Sequence, residues 1–261
     1  MVRKKQKQHY VPQFYLKHFS PEEDGSYVYC YDKEKRISFT ASTRDICQEI
    51  SFYDSKYSEK SVEGAFAIGE RYCSTVLGKV VDANDLSVLS MEEFAGLLGF
   101  LLLLKQRTRK RRDIVGLARM IWMDKINEQF TDWKIVPESD DWQRKDHLSS
   151  MVDLHEEEVK RLFRNNWVLI INNTSIPFWT SDDPLVQQLV TADKRFKGSY
   201  LRNYCPITPK MLMFSEPLLS GNVKLMKISI SDESIVTSLN KLTFNNAYRF
   251  VISNAEILLP L

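Results

Sequence analysis

Glycine is scarce in this sequence, with nine residues in 261. No P-loop, G-x-G-x-x-G or G-x-S-x-G pattern occurs, so folds that cradle a nucleotide in a glycine-rich loop are disfavoured. Cysteine is sparse too. The four, at 30, 47, 73 and 205, form no C-x-x-C pair, which argues against a zinc knuckle. Their number and spacing fit free, mostly buried thiols in a reducing cytosol. Long apolar runs are missing. The stretch Phe94 to Leu104 has eleven residues, whereas a membrane span needs roughly 20. It reads as a buried core helix, and no membrane association is expected. The N-terminal cations precede no apolar segment, so a signal peptide is not expected either. "DLHEEEVK" (153–160) lacks the second histidine of H-E-x-x-H. No zinc-deaminase pattern, repeat, low-complexity linker or domain break is visible, so one domain over residues 1–261 is expected.

What is present is a 43% hydrophobic composition, enough for a sizeable core, and a net charge of only +2. The charge is unevenly spread. Residues 1–20 carry five cations and no acid, "KQRTRKRR" (105–112) carries six cations, and 138–158 is acidic. Each block alone is most often solvated surface.

The pattern of elements is strands, long helices, then strands again, which is an α+β class. Pro12 suits the first turn of a short helix over "PQFYLKHF". "SYVYCYD" (26–32) alternates as a strand, "RISFTAS" (36–42) is its hairpin partner through "DKEK", and "EISFYD" (49–54) is extended. Helical spacing begins near Ser58 and includes Val62, Phe66, Ile68, Tyr72, Cys73, Val76 and Leu77. Ser90 with Glu93 forms a capping box, opening a helix past Lys125 with a break possible near Thr108. Residues 141–165 form a further helix. Residues 166–173 are strand-like, and 176–189 is a strand ended by Asp182-Asp183-Pro184. Strands at 211–216 and 223–230, a helix over 231–247 and a strand over 248–254 complete the chain, so the C-terminal strands pack with a helix.

Three places offer chemistry. In "KQHYVPQFYLKHFS", His9 beside a helix start could hold a phosphate or act as a base. Tyr10, Phe14 and Tyr15 could equally anchor the segment in the core, the commoner use. In "KQRTRKRR" the cations wrap the whole helix circumference. Either the helix emerges into water, or one or two arginines point inward at a carboxylate or phosphate, a task for which the bidentate guanidinium is suited. Glu63 and Glu70, two turns apart on one face, could share a metal or acid–base work, or pair with those arginines. "TSDDP" (180–184) sets the hydroxyls of Thr180 and Ser181 and the carboxylates of Asp182 and Asp183 at a strand end, where Asp more often caps a turn.

Taken in order, "HYVPQFYLKHF", "FYD" followed by Glu63 and Glu70, "KQRTRKRR", "NWVLIINN", "FWTSDDPL" and "PITPKMLM" resemble the bacterial family of domain of unknown function 4238 across nearly the whole chain. The family's arginine motif tends to read Arg-Thr-Pro, whereas this sequence reads Arg107-Thr108-Arg109, so the helix is free to continue there. The resemblance implies a bacterial cytosolic protein, in a mobile-element or phage-defence setting, with His9, Tyr10, Gln13, Glu63, Arg107, Ser181 and Asp182 clustered. Those residue types suit a nuclease or phosphodiesterase acting on nucleic acid or a nucleotide. His9, Glu63 and Asp182 would be the reactive centre and Arg107 the clamp on phosphate charge. A divalent metal could assist, although no ligand set is assigned. Arg109, Lys110 and Arg112, with Lys4, Lys5, Lys7 and Arg111, are the candidate phosphate contacts. The alternatives are a non-catalytic nucleic-acid- or protein-binding module with a structural His/Glu/Arg/Asp network, and an enzyme on a small anionic metabolite. Two placements are expected: "HYVP" against the end of the 90–127 helix and near "TSDDP", and Arg107 buried on a carboxylate with Arg111 and Arg112 exposed.

Overall fold

The computed structural model describes residues 7–53, 62–130, 132, 134–136, 142–153, 155–191, 193–194, 198–218 and 224–257, with the backbone alone for 62, 63, 152, 153 and 155. The described residues form seven helices and three sheets, an α+β fold. The chain opens with β1 (Lys7–His9) and a short helix α1 (Gln13–Lys17), entered from Pro12 at its N-cap. β2 (Tyr27–Asp32) alternates buried and half-buried side chains, as one face meets the core. Its antiparallel partner is β3 (Ile37–Ser42). The turn between them is fixed by Asp32, whose Oδ1 accepts the N–H groups of Glu34 and Lys35 at 3.0 and 3.1 Å. β4 (Gln48–Ile50) pairs antiparallel with β1, placing His9 opposite Gln48.

The helical layer runs α2 (Val62–Ala83), α3 (Met91–Gln106), α4 (Arg109–Gln129), α5 (Trp142–Asp153) and α6 (His155–Phe163). In α2 Cys73, Val76 and Leu77 face the core, while Ile68 is exposed. α3 is apolar on nearly all sides and buries Phe94, Leu97, Leu98, Phe100, Leu101, Leu102 and Leu104, as a helix enclosed by other elements must. The predicted capping box is present: Ser90 Oγ accepts from Glu93 N, and Glu93 Oε2 accepts from Ser90 N.

The break allowed near Thr108 is present, and the 90–127 region is two helices. Arg107 is the C-cap of α3, and Thr108 is extended, with φ −70° and ψ 154°. Thr108 Oγ1 accepts from Arg111 N at 3.2 Å, capping α4. The threonine cap ends one helix and starts the next without a proline after it. The reading that Arg109 lets the helix continue is therefore corrected. The helix expected over 141–165 is likewise two, α5 and α6.

The C-terminal half contributes β5 (Asn165–Asn172), β6 (Thr180–Ser181), β7 (Val186–Val190), β8 (Tyr200–Thr208), β9 (Met211–Pro217), β10 (Leu225–Ile230), α7 (Glu233–Asn246) and β11 (Phe250–Ser253). One sheet has the order β10-β5-β9-β8-β7, antiparallel except for the parallel β10–β5 pair. The other has the order β3-β2-β11-β6, so the N-terminal hairpin and the last strand share a sheet. Two expectations need correction. β8 lies where the sequence reading assigned no element, and its Pro206 is accommodated where the β8–β9 register shifts. The strand expected from 176 does end at Asp182-Asp183-Pro184, as β6, but the chain after the turn is a second strand, β7, in a different sheet.

The main core joins both halves of the chain, from Tyr10, Val11 and Tyr15 to Trp167, Leu185 and Ile252. Tyr15 ties α1 to the C-terminal half. Its Oη donates to the Pro206 carbonyl at 2.5 Å and lies 2.7 Å from Thr180 Oγ1. All four cysteines are free and buried.

Candidate functional site

The helix break at 107–108 organises everything polar around it. Arg107 turns inward and is 1% exposed. Its Nη1 donates to Glu70 Oε1 at 2.6 Å, its Nη2 to the His9 carbonyl at 2.7 Å and its Nε to Tyr53 Oη at 3.1 Å. The guanidinium carbon lies 4.2 Å from the Phe66 ring centroid. All three nitrogens therefore have acceptors, and the "HYVP" segment packs at this break, in the middle of the 90–127 region rather than against its end. His9 contributes its backbone, not its imidazole. The ring Nε2 lies 3.2 Å from the Thr43 carbonyl, and burial lowers its pKa. Gln13 reaches the same residue, donating to Thr43 Oγ1 at 3.3 Å. Tyr10 is buried, with its ring 5.4 Å from that of Phe52. His147, 1% exposed, closes this region from α5. Its Nε2 donates to the Gln106 carbonyl at 2.7 Å, and burial lowers its pKa to about 4.

Asp182 is equally enclosed, at 3% exposure. Its Oδ1 accepts Tyr248 N at 2.9 Å, and its Oδ2 accepts Arg249 N at 2.8 Å and Phe250 N at 3.1 Å. Burial pushes the carboxyl up to about 6, against the pull of those three amides. Asp182 thus fastens the entry to β11. Ser181, fully buried beside it, accepts Asp183 N on its Oγ at 3.1 Å. No hydrogen bond links the His9 imidazole, the Arg107 guanidinium and the Asp182 carboxylate. The side chain of Glu63 lies outside the described residues.

A different set converges on the far side of the break. Asp183 is 0% exposed; its Oδ2 accepts Lys105 Nζ at 2.9 Å and forms an ion pair with Lys110 Nζ at 3.0 Å. Lys110 donates to Asn246 O at 2.7 Å and Asn246 Oδ1 at 3.2 Å. Lys105 donates to Asp183 alone among the described residues, which leaves it two N–H groups. Burial lowers the Lys105 pKa, and Asp183 opposes that shift. Gln106, 3% exposed, donates through Nε2 to Glu158 at 3.1 Å. These residues, with Thr108, Arg111, Ile114 and Gln187, line a cavity of about 100 Å³. The first turn of the 21-residue α4 opens beside it, so the helix dipole adds positive potential.

This cavity is where hydrogen bonding is incomplete. Seven buried side-chain polar atoms among the described residues lack a partner, and three of them belong to its lining: Gln106 Oε1, Arg111 Nε and Asp183 Oδ1. Buried polar groups are normally paired, so such a cluster calls for water or a ligand.

Of the expected phosphate contacts, Lys110 and Arg111 line this cavity. Arg109 is exposed, with Nε 3.4 Å from Glu49. Arg112 was expected in solvent, but Glu49 at 3.0 Å and the Phe52 ring at 4.3 Å hold its side chain to 13% exposure. Arg111 is half-buried rather than exposed. Lys7 pairs with Asp45 at 2.5 Å, and Lys4 and Lys5 lie outside the described residues. Lys105 and Gln106 were not singled out from the sequence, and Asp183 was noted only as a carboxylate of the "TSDDP" turn, outside the expected reactive centre. The available signal was the doubled aspartate of "TSDDP": one carboxylate fastens the backbone and the next faces the cations. Among the described residues, no group of three His, Cys, Asp or Glu side chains is placed to hold a metal ion. No helix of the described residues is long and apolar enough to cross a membrane.

Comparison with curated proteins and with solved structures finds no match. The helix break with its inward arginine and the "TSDDP" turn lie within the span, residues 7–256, matched by the sequence model of one family, described as protein of unknown function (DUF4238), and the chain belongs to that family.

Proposed function

We propose that this protein is a binding module for phosphate-bearing ligands, nucleic acid or nucleotide, and that the cavity at the α3–α4 break is its contact point. In this reading His9, Arg107, Ser181 and Asp182 hold the fold, and Lys105 and Arg111 meet the ligand. The observation that carries it is the unmatched polar set. Arg111 forms no ion pair among the described residues and keeps a buried N–H without an acceptor, beside a lysine with two N–H groups to spare. Three cations against two carboxylates, Asp183 and Glu158, leave the lining net positive. Anions are drawn to such a site by charge, by the guanidinium fork and by the helix dipole.

The test is a titration of a fluorescent single-stranded oligonucleotide across a salt series. Binding should weaken with a log–log slope of roughly 0.7 for each phosphate engaged. Arg111→Gln should lower both affinity and slope. Absence of binding at low salt would remove this reading. Incubation of the same strand with Mg²⁺ or Mn²⁺ separates binding from hydrolysis, and strand cleavage would restore a catalytic reading.

A further inference from the structure

We infer that the cavity receives a terminal phosphate monoester rather than an internal phosphodiester. This rests on the phosphate-binding reading above and specifies its ligand. Size is the first argument. Pockets that enclose whole ligands run to about 300–1,000 Å³. This one holds about 100 Å³. It accepts one small group and leaves the remainder of the ligand outside. Its lining includes Asp183 at 0% and Gln106 at 3% exposure, so the group must enter far enough to meet buried side chains. A phosphate at a chain end can do so. A phosphate inside a strand is held back by a sugar on either side.

The second argument is hydrogen-bond inventory. The donors are the two spare N–H groups of Lys105 and the unpaired Nε of Arg111. A terminal monoester offers three free oxygens to them, whereas a diester offers two. The lining also carries two unmatched acceptors, Asp183 Oδ1 and Gln106 Oε1. These fall to water admitted with the group. Because its second proton dissociates near pH 6, a monoester is mostly a dianion at neutral pH, whereas a diester carries a single negative charge, so the monoester gains more from the cations of the lining. Lys110 is held at the edge of this set by its ion pair with Asp183 and its hydrogen bonds to Asn246.

The experiment compares five probes on the full-length protein: one oligonucleotide with a 5′-phosphate, the same strand with a 5′-hydroxyl, a nucleoside monophosphate, the matching nucleoside, and inorganic phosphate. The phosphorylated strand should bind at least about tenfold tighter than the hydroxyl form, the worth of one charge-assisted contact. The monophosphate should compete for the site and the nucleoside should not. A monophosphate or inorganic phosphate that binds while neither strand does would assign the ligand to free small molecules. Arg111→Gln, a side chain with no ion pair to lose among the described residues, should abolish the preference. Lys105→Gln is the second variant, with Lys110 left to neutralise Asp183. Equal affinity for the two strands would overturn the inference and leave the phosphate-binding reading standing. No binding of any probe would overturn both.

Discussion

Arg107 and Arg111 are four residues apart in one basic run, and the fold treats them oppositely. Arg107 sits where α3 ends, and every nitrogen of its guanidinium has an acceptor. Arg111 sits one turn into α4, and its Nε is buried with none. The first closes a core of Tyr53, Phe66, Glu70 and the His9 carbonyl. The second faces a small cavity with Lys105 and Asp183. Residue type does not separate these two arginines; the completeness of their hydrogen bonding does. Asp182 and Asp183 repeat the contrast on the facing turn, one carboxylate saturated by backbone amides and its neighbour with a free oxygen.

The contrast makes graded predictions. Arg107→Ala should have the largest effect on stability. It strands Glu70 and a buried carbonyl, and breaking a buried pair of this kind costs about 3–5 kcal/mol. Urea unfolding measures it, and Arg107→Lys should recover only part, because lysine lacks the fork. An Arg107→Ala protein as stable as wild type would break the distinction outright.

His147 belongs to the closed side, and its effect is read through pH. Its folded pKa is about 4 against an ordinary 6.5. The folded state therefore holds it neutral, and its stability contribution is complete above pH 6.5 and lost as pH falls towards 4. At about 1.4 kcal/mol per unit, the loss is on the order of 3 kcal/mol. His147→Gln should remove that acid-side slope relative to wild type. Equal slopes in the two proteins would show that the histidine is not held neutral.

Asp182 pulls the other way. Its folded pKa, about 6, lies above the ordinary carboxylate value. The stability it contributes is complete below pH 4 and is lost as pH rises through 6. Asp182→Asn should remove that opposite slope. At neutral pH the same substitution turns an amide N–H₂ towards at least one backbone N–H and costs about 1–3 kcal/mol for each donor left unpaired. A neutral outcome at pH 7 would mean that the clamp on residues 248–250 contributes little.

Much of the fold was legible because it depends on local rules. The Ser90 capping box, the alternation of "SYVYCYD" and the apolar run at 94–104 each have one physical solution. β8 was hidden because Pro206 is tolerated only through a register shift that neighbouring strands create. The site was half legible. The inward turn of Arg107 could be argued from a helix that cannot bury six cations. The assignment of His9 and Asp182 to chemistry followed residue type alone, and their partners (a carbonyl and three amides) are set by β-pairings distant in sequence. Lys105 and Asp183 meet only because Thr108 breaks the helix and Asp182 pins the turn.

The smallest expected change in stability falls on the open side, and it tests the central claim most directly. Arg111→Gln is compared with wild type in two measurements: urea unfolding, and affinity for a phosphorylated single strand. The account predicts stability within about 0.5 kcal/mol of wild type and affinity at least about tenfold weaker. Unchanged affinity, or a large loss of stability, would contradict it.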